Sequence, residues 1–166
     1  MNSATIKAMT STGKDDWETP AWLFNQLNAE FHFTLDPCCT HETAKCSKHY
    51  TPEENGLIQD WGGEIVFCNP PYSRKTKTNP GQASWVEKCA VEGQKPGTVV
   101  VALLPARTDT ELFHRYIYGK AEIRFLKGRV SFLDHGKEAG KPLFGSMICI
   151  WRTVTHENHL QALFRS

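Results

Sequence analysis

Apolar runs alternate with stretches of helical period for most of the chain. The first legible element is "PAWLFNQLNAEF", where Trp22, Leu23, Leu27 and Phe31 recur at helical spacing behind Pro20. Proline is favoured in a first helical turn because the N–H it lacks would be unpaired there anyway, so a helix is predicted to start at this point. "HFTLDP" reads as a short strand ended by Pro37, and "CTHETAKC" as a short helix with a threonine cap. "EIVFCNPP" is the next strand, halted because proline offers no hydrogen to a ladder.

Further on, "QASWVEKCAVEGQ" has helical spacing at Ala83, Val86, Ala90 and Val91, with Gly93 near its end. "GTVVVALLP" is a near-continuous β-branched and apolar run, which suits a central strand covered on both faces. "TDTELFHRYIYG" predicts a helix with a Thr or Asp cap. "AEIRFLKGRVSFL" and "GSMICIWR" predict late strands paired at one edge, and "HENHLQALFRS" a terminal helix. Strands alternating with helices, then two strands joined by a loop, predict an open α/β sheet, mostly parallel, with an antiparallel edge hairpin. Ligands of such sheets bind beyond the carboxyl ends of the strands, so Asp36 and Asn69 are expected on one rim.

Composition narrows this picture only slightly. A chain of 166 residues with 40% hydrophobic content and five tryptophans is expected to fold as one domain over 15–166, after a flexible N-terminus over 1–14. No apolar run is long enough for a membrane span, and the start lacks the core of a signal peptide, so a cytoplasmic protein without membrane contact is expected. The six cysteines are then thiols, with Cys68, Cys89 and Cys149 acting as small buried hydrophobes. Cys38, Cys39, His41, Cys46 and His49 follow none of the usual zinc spacings, and no metal is expected. A net charge of +1 gives the whole molecule no strong field for nucleic acid; only the local clusters "SRKTK" and "RFLKGR" offer a phosphate-contacting rim.

The chemistry concentrates in "VFCNPPYS", an amide, two prolines and an aromatic ring at the end of a buried strand. An exocyclic aromatic amine is a poor nucleophile because its lone pair is delocalised into the ring. Two rigid acceptors that take both amine hydrogens favour a pyramidal nitrogen with its lone pair available. Asn69 offers one acceptor through its side-chain carbonyl, and the Pro70 backbone carbonyl offers the other, stiffened by the Pro70–Pro71 pair. Tyr72 offers a face on which an extruded base can stack, a contact worth roughly 1–3 kcal/mol.

The ordered set "DWETP", "LDPCCT", "NPPYS", "LLPARTDTELFH" and "FLKGRVSF" resembles the compact phage-type Dam family of DNA N6-adenine methyltransferases, over about residues 17–151. The resemblance implies a Rossmann-like fold that uses S-adenosylmethionine, with DNA as partner and no covalent enzyme intermediate. Carried over, Trp17, Thr19 and Pro20 would line the cofactor pocket, and Asp36, flanked by Pro37 and Cys38, would meet the cofactor's ammonium. Glu53, Glu54 and Asn55 would reach its ribose and adenine, with Asp60 a competing candidate. Asn69, Pro70, Pro71 and Tyr72 would hold the target base. Arg74, Lys75 and Lys77 would face DNA on a loop read as a substrate-ordered lid; Arg129 would position DNA or shape the target pocket, and Arg107 would contact phosphate or pair with Asp109 or Glu111. One departure stands out: Cys38 and Cys39 occupy the turn where the family's glycines are usual.

Two alternatives share parts of this pattern. The two-acceptor geometry also suits methylation of an RNA base or of a protein glutamine. A non-catalytic nucleic-acid-binding module held by zinc through Cys38, Cys39, Cys46 and His49 is the reading from a different class. No inserted recognition domain is visible, so contacts for base readout are expected to be few; target site and oligomeric state are left open.

Overall fold

Residues 17–153 are described by a computed structural model; the N-terminus expected over 1–14 to be flexible and the helix expected over 156–166 lie outside them. Helix α1 (Ala21–Phe31) begins where expected, with the Pro20 carbonyl accepting from the Leu23 and Phe24 amides at 3.1 and 3.2 Å. It ends at His32 in the left-handed region (φ 55), whose N–H closes on the Asn28 carbonyl. Strand β1 (Leu35–Asp36) follows, then β2 (Lys48–His49), a short 3-10 turn (Gly56–Ile58), and β3 (Ile65–Cys68). Helix α2 (Gly81–Glu92), β4 (Val99–Pro105), α3 (Glu111–Tyr116) and β5 (Glu122–Phe125) come next. A hairpin of β6 (Phe132–Asp134) and β7 (Lys137–Gly140) precedes β8 (Ser146–Arg152).

The main sheet has six strands in the order β2-β1-β3-β4-β8-β5. The pairings β2–β1, β1–β3 and β3–β4 are parallel, while β8 runs antiparallel to both β4 and β5. The α/β class, the mostly parallel sheet and its antiparallel edge are therefore as the sequence predicts. Period-two alternation splits β4 between two cores. Val100, Ala102 and Leu104 face Trp85, Val86, Cys89, Phe113 and Ile117 from α2 and α3 and the turn after it; Val101 and Leu103 join Leu23, Leu27 and Phe31 of α1 on the other side. Each fully buried aliphatic side chain such as Leu103 contributes roughly 2 kcal/mol.

Three expectations need correction. "CTHETAKC" forms turns and no helix. Its threonine cap exists, since Thr40 Oγ1 accepts from the Thr43 amide at 3.2 Å, but the Asp36 carboxylate takes the Lys45 amide at 3.0 Å. A helix would need that N–H for its own ladder. "AEIRFLKGRVSFL" is two strands in two sheets, because β5 ends at Phe125 and β6 pairs with β7 instead. Finally, β8 is an interior strand inserted between β4 and β5, and a whole hairpin separates it from β5 in the chain.

Candidate active site

Parallel pairing of β1 with β3 brings their carboxyl ends side by side, so Asp36 and Asn69 line one pocket of about 460 Å³. That is within the size range of small-molecule sites. Its floor depends on a close approach: a Cβ on Gly56 would stand 2.0 Å from the Pro37 carbonyl oxygen. Asn55 turns the chain there in the left-handed region (φ 53) and its side chain accepts from the Leu57 amide. The indole N–H of buried Trp61 fixes the Gly56 carbonyl at 3.0 Å.

Asp36 is 3% exposed and accepts from the Cys38 amide at 3.3 Å and the Lys45 amide at 3.0 Å. Burial pushes its carboxyl above the usual range, against the pull of those two amides. Burial, with the Asp36 charge adding to it, pushes the Cys46 thiol up to about 12, and the Cys39 thiol is raised by the same causes. Both stay protonated at neutral pH, which makes them poor nucleophiles. Among the described residues no group of three or more His, Cys, Asp or Glu is placed to hold a metal ion.

Asn69 leaves the end of β3 with its amide oriented by the protein. Its Nδ2 donates to the Trp17 carbonyl at 2.7 Å, and because that carbonyl can only accept, the oxygen Oδ1 must face the other way. Oδ1 accepts from the Tyr72 hydroxyl at 3.3 Å, leaving one lone-pair direction open. The Tyr72 ring meets Phe132 and Phe144 edge-on, at centroid distances of 5.8 and 5.7 Å. Burial pushes its phenol up. Pro70 is buried, and its carbonyl has no hydrogen-bond donor among the described residues.

The structure gathers Trp17, Thr19, Asp36, Pro37, Cys38, Asn55, Asn69 and Pro71 around the large pocket. Thr19 is 1% exposed and its hydroxyl has no partner among the described residues. Pro20 starts α1 and does not line the pocket; Glu54, an exposed residue, bonds back to the Thr51 amide at 2.9 Å, and Glu53 is exposed at a smaller hollow beside it. Asp60 is exposed and paired with Lys95 at 2.7 Å, away from the pocket lining. Tyr72 and Arg74 line a second hollow of about 170 Å³ together with Arg107. Arg107 stacks over Phe144 at 5.2 Å, and no ion pair with Asp109 or Glu111 forms among the described residues. Lys75 and Lys77 are exposed on the connection into α2, and Arg129 donates to the Pro142 carbonyl at 3.2 Å.

That connection has its own order. Asn79 ties it together by donating to Ser73 Oγ at 3.1 Å and accepting from the Gly81 amide at 2.8 Å. Thr78, Asn79 and Pro80, on the loop read as a lid, reach the large pocket, as do Lys45, Tyr50, Thr51 and Trp85, none of which was assigned to the cofactor site from the sequence. Lys45, Tyr50 and Thr51 carry no sequence period, and the three-dimensional path of 39–55 brings them in, whereas Trp85 comes from α2.

A family model described as DNA N-6-adenine-methyltransferase (Dam) matches residues 6–164. A DNA N-6-adenine-methyltransferase of Haemophilus phage HP1 (strain HP1c1) is 31% identical over 125 residues, covering 74% of this chain and 68% of the relative. The putative methyltransferase YfdM of Escherichia coli (strain K12) is 38% identical over 65 residues, covering 35% of this chain and 71% of that protein.

Proposed function

This chain belongs to the Dam family and methylates adenine N6 in DNA, and from that premise we propose that the large pocket binds S-adenosylmethionine as the methyl donor. The residues present fit such a group. The pocket holds a buried carboxylate for an ammonium, an orphaned buried hydroxyl at Thr19, and the aromatic side chains of Trp17, Tyr50 and Trp85 for a purine. When bound, S-adenosylmethionine supplies an electrophilic methyl group on a sulfonium. Asp36 would meet its ammonium, and the Gly56 cradle with Asn55 would receive the nucleoside.

The protein's own part is to present the amine. Asn69 Oδ1 and the Pro70 carbonyl accept the two N6 hydrogens, turning the nitrogen lone pair away from the base ring. The observation that carries this reading is the Trp17 carbonyl on Asn69 Nδ2, which commits the amide oxygen to the acceptor role before any base arrives. Because Tyr72 bonds to Asn69 yet lines the hollow it shares with Arg74 and Arg107, the target base enters from the Arg74–Arg107 side and the donor from the other. No general base is needed for the attack itself; alignment of amine and donor supplies most of the acceleration. The loop 73–80, whose Thr78, Asn79 and Pro80 line the pocket, closes it over both ligands.

Asn69→Ala is the direct test. Methyl incorporation from labelled S-adenosylmethionine into unmethylated duplex DNA is expected to fall at least about 1,000-fold, the scale set by losing a preorganised polar group at a reacting centre. Thermal unfolding and cofactor binding should stay close to the parent protein. Turnover near the parent rate would remove the acceptor mechanism.

A further inference from the structure

Lys45 is the one cation among the described residues that line the large pocket, whose acids are Glu18 and Asp36. Its backbone amide is bonded to Asp36 Oδ2 at 3.0 Å, so a lysine and a carboxylate are anchored to each other at one wall of the cavity. The side chain is half-buried, and its ammonium forms no ion pair with the described residues. Lys48, three residues further on, is by contrast paired with Glu64. A lysine that forms no ion pair with the described residues and a buried carboxylate, lining one pocket and joined through the lysine's backbone amide, together match the two charges of a zwitterion. An α-amino acid group offers both charges two bonds apart.

We propose that Lys45 is a specificity-determining residue that receives the carboxylate of the donor's amino-acid end, while Asp36 receives its ammonium. This rests on the reading of the large pocket as the S-adenosylmethionine site. It explains why Lys45 belongs to a segment that forgoes a helix: the Asp36 bond to its amide fixes where the lysine stem begins. A lysine suits the role because its flexible stem lets a point charge find a carboxylate without a fixed fork. Lys45 touches no reacting atom, so its effect is on which donor binds.

Isothermal titration of the full chain separates the possibilities. The ligands are S-adenosylmethionine and decarboxylated S-adenosylmethionine, which keeps the sulfonium and ammonium and lacks the carboxylate. Lys45→Met is expected to weaken S-adenosylmethionine by about 10-fold or more, the usual worth of a charge-assisted bond, while changing the decarboxylated ligand by less than about twofold. Lys45→Arg, which keeps the charge, is expected to recover most of the loss. Thermal melts of both variants should match the parent, since the side chain makes no bond to the described residues. Equal weakening of the two ligands, or no weakening of either, would overturn the role of Lys45 and leave the pocket assignment standing. Failure of the parent protein to bind S-adenosylmethionine would overturn both.

Discussion

Gly56 passes so near the Pro37 carbonyl that no larger residue fits without moving backbone. Gly56→Ala is therefore expected to destabilise the fold by about 2–3 kcal/mol, seen as a lower urea midpoint, and to weaken donor binding because both walls of the pocket shift. A midpoint equal to the parent's would mean the approach is relaxed at no cost. At this scale the sequence was most informative where a residue type is chemically unusual. Asn69 between a buried strand and two prolines, and Asp36 before Pro37, announce themselves because neither amide nor acid belongs at the end of an apolar run. Lys45 and Tyr50 do not, since a lysine or tyrosine in a polar segment is the common case. Glu54 and Asp60, acids in the stretch expected to meet the ribose, bond to Thr51 and to Lys95 and lie outside the large pocket's lining.

Between elements, Glu92 carries the connection of α2 to the turn before β3. The side chain is 2% exposed, takes the Trp61 amide at 3.1 Å, and pairs with Lys88 and Lys95. Burial alone would raise its pKa, but the two lysines and the Trp61 amide outweigh that and hold it below the ordinary 4.5. The sign follows: the stabilisation is complete above about pH 4.5 and is lost as pH falls through the depressed folded value. Glu92→Ala should cost about 3 kcal/mol at neutral pH and flatten the acid limb of a stability–pH curve, both measurable by denaturant titration. Elements defined by long apolar runs or by a helical period were legible in the sequence for the same reason that they bury well. The ones that escaped are set by partners distant in the chain. Strand β2 is two polar residues whose register comes only from β1, and the β6–β7 hairpin turns on His135-Gly136, both at positive φ (49 and 75), without the Asn-Gly or Asp-Gly pair that signals such turns.

For the molecule as a whole, a net charge of +1 means that DNA is not drawn in by overall field. Arg74 and Arg107 share one hollow with Tyr72, and on the proposed reading DNA affinity comes from cations there. Removing both by Ala is expected to reduce the slope of log affinity against log salt by about two, one per phosphate contact, in an anisotropy titration with a labelled duplex. An unchanged slope would move the DNA path elsewhere. Finally, the interior place of β8 reaches beyond the folded state. Residues 146–152 complete the sheet between strands that end at 105 and 125, so during synthesis β4 and β5 emerge from the ribosome with an open gap between them. Native assembly waits until β8 has cleared the exit tunnel, and until then the nascent chain presents two unpaired strand edges, that of β4 apolar, to whatever chaperone is nearby.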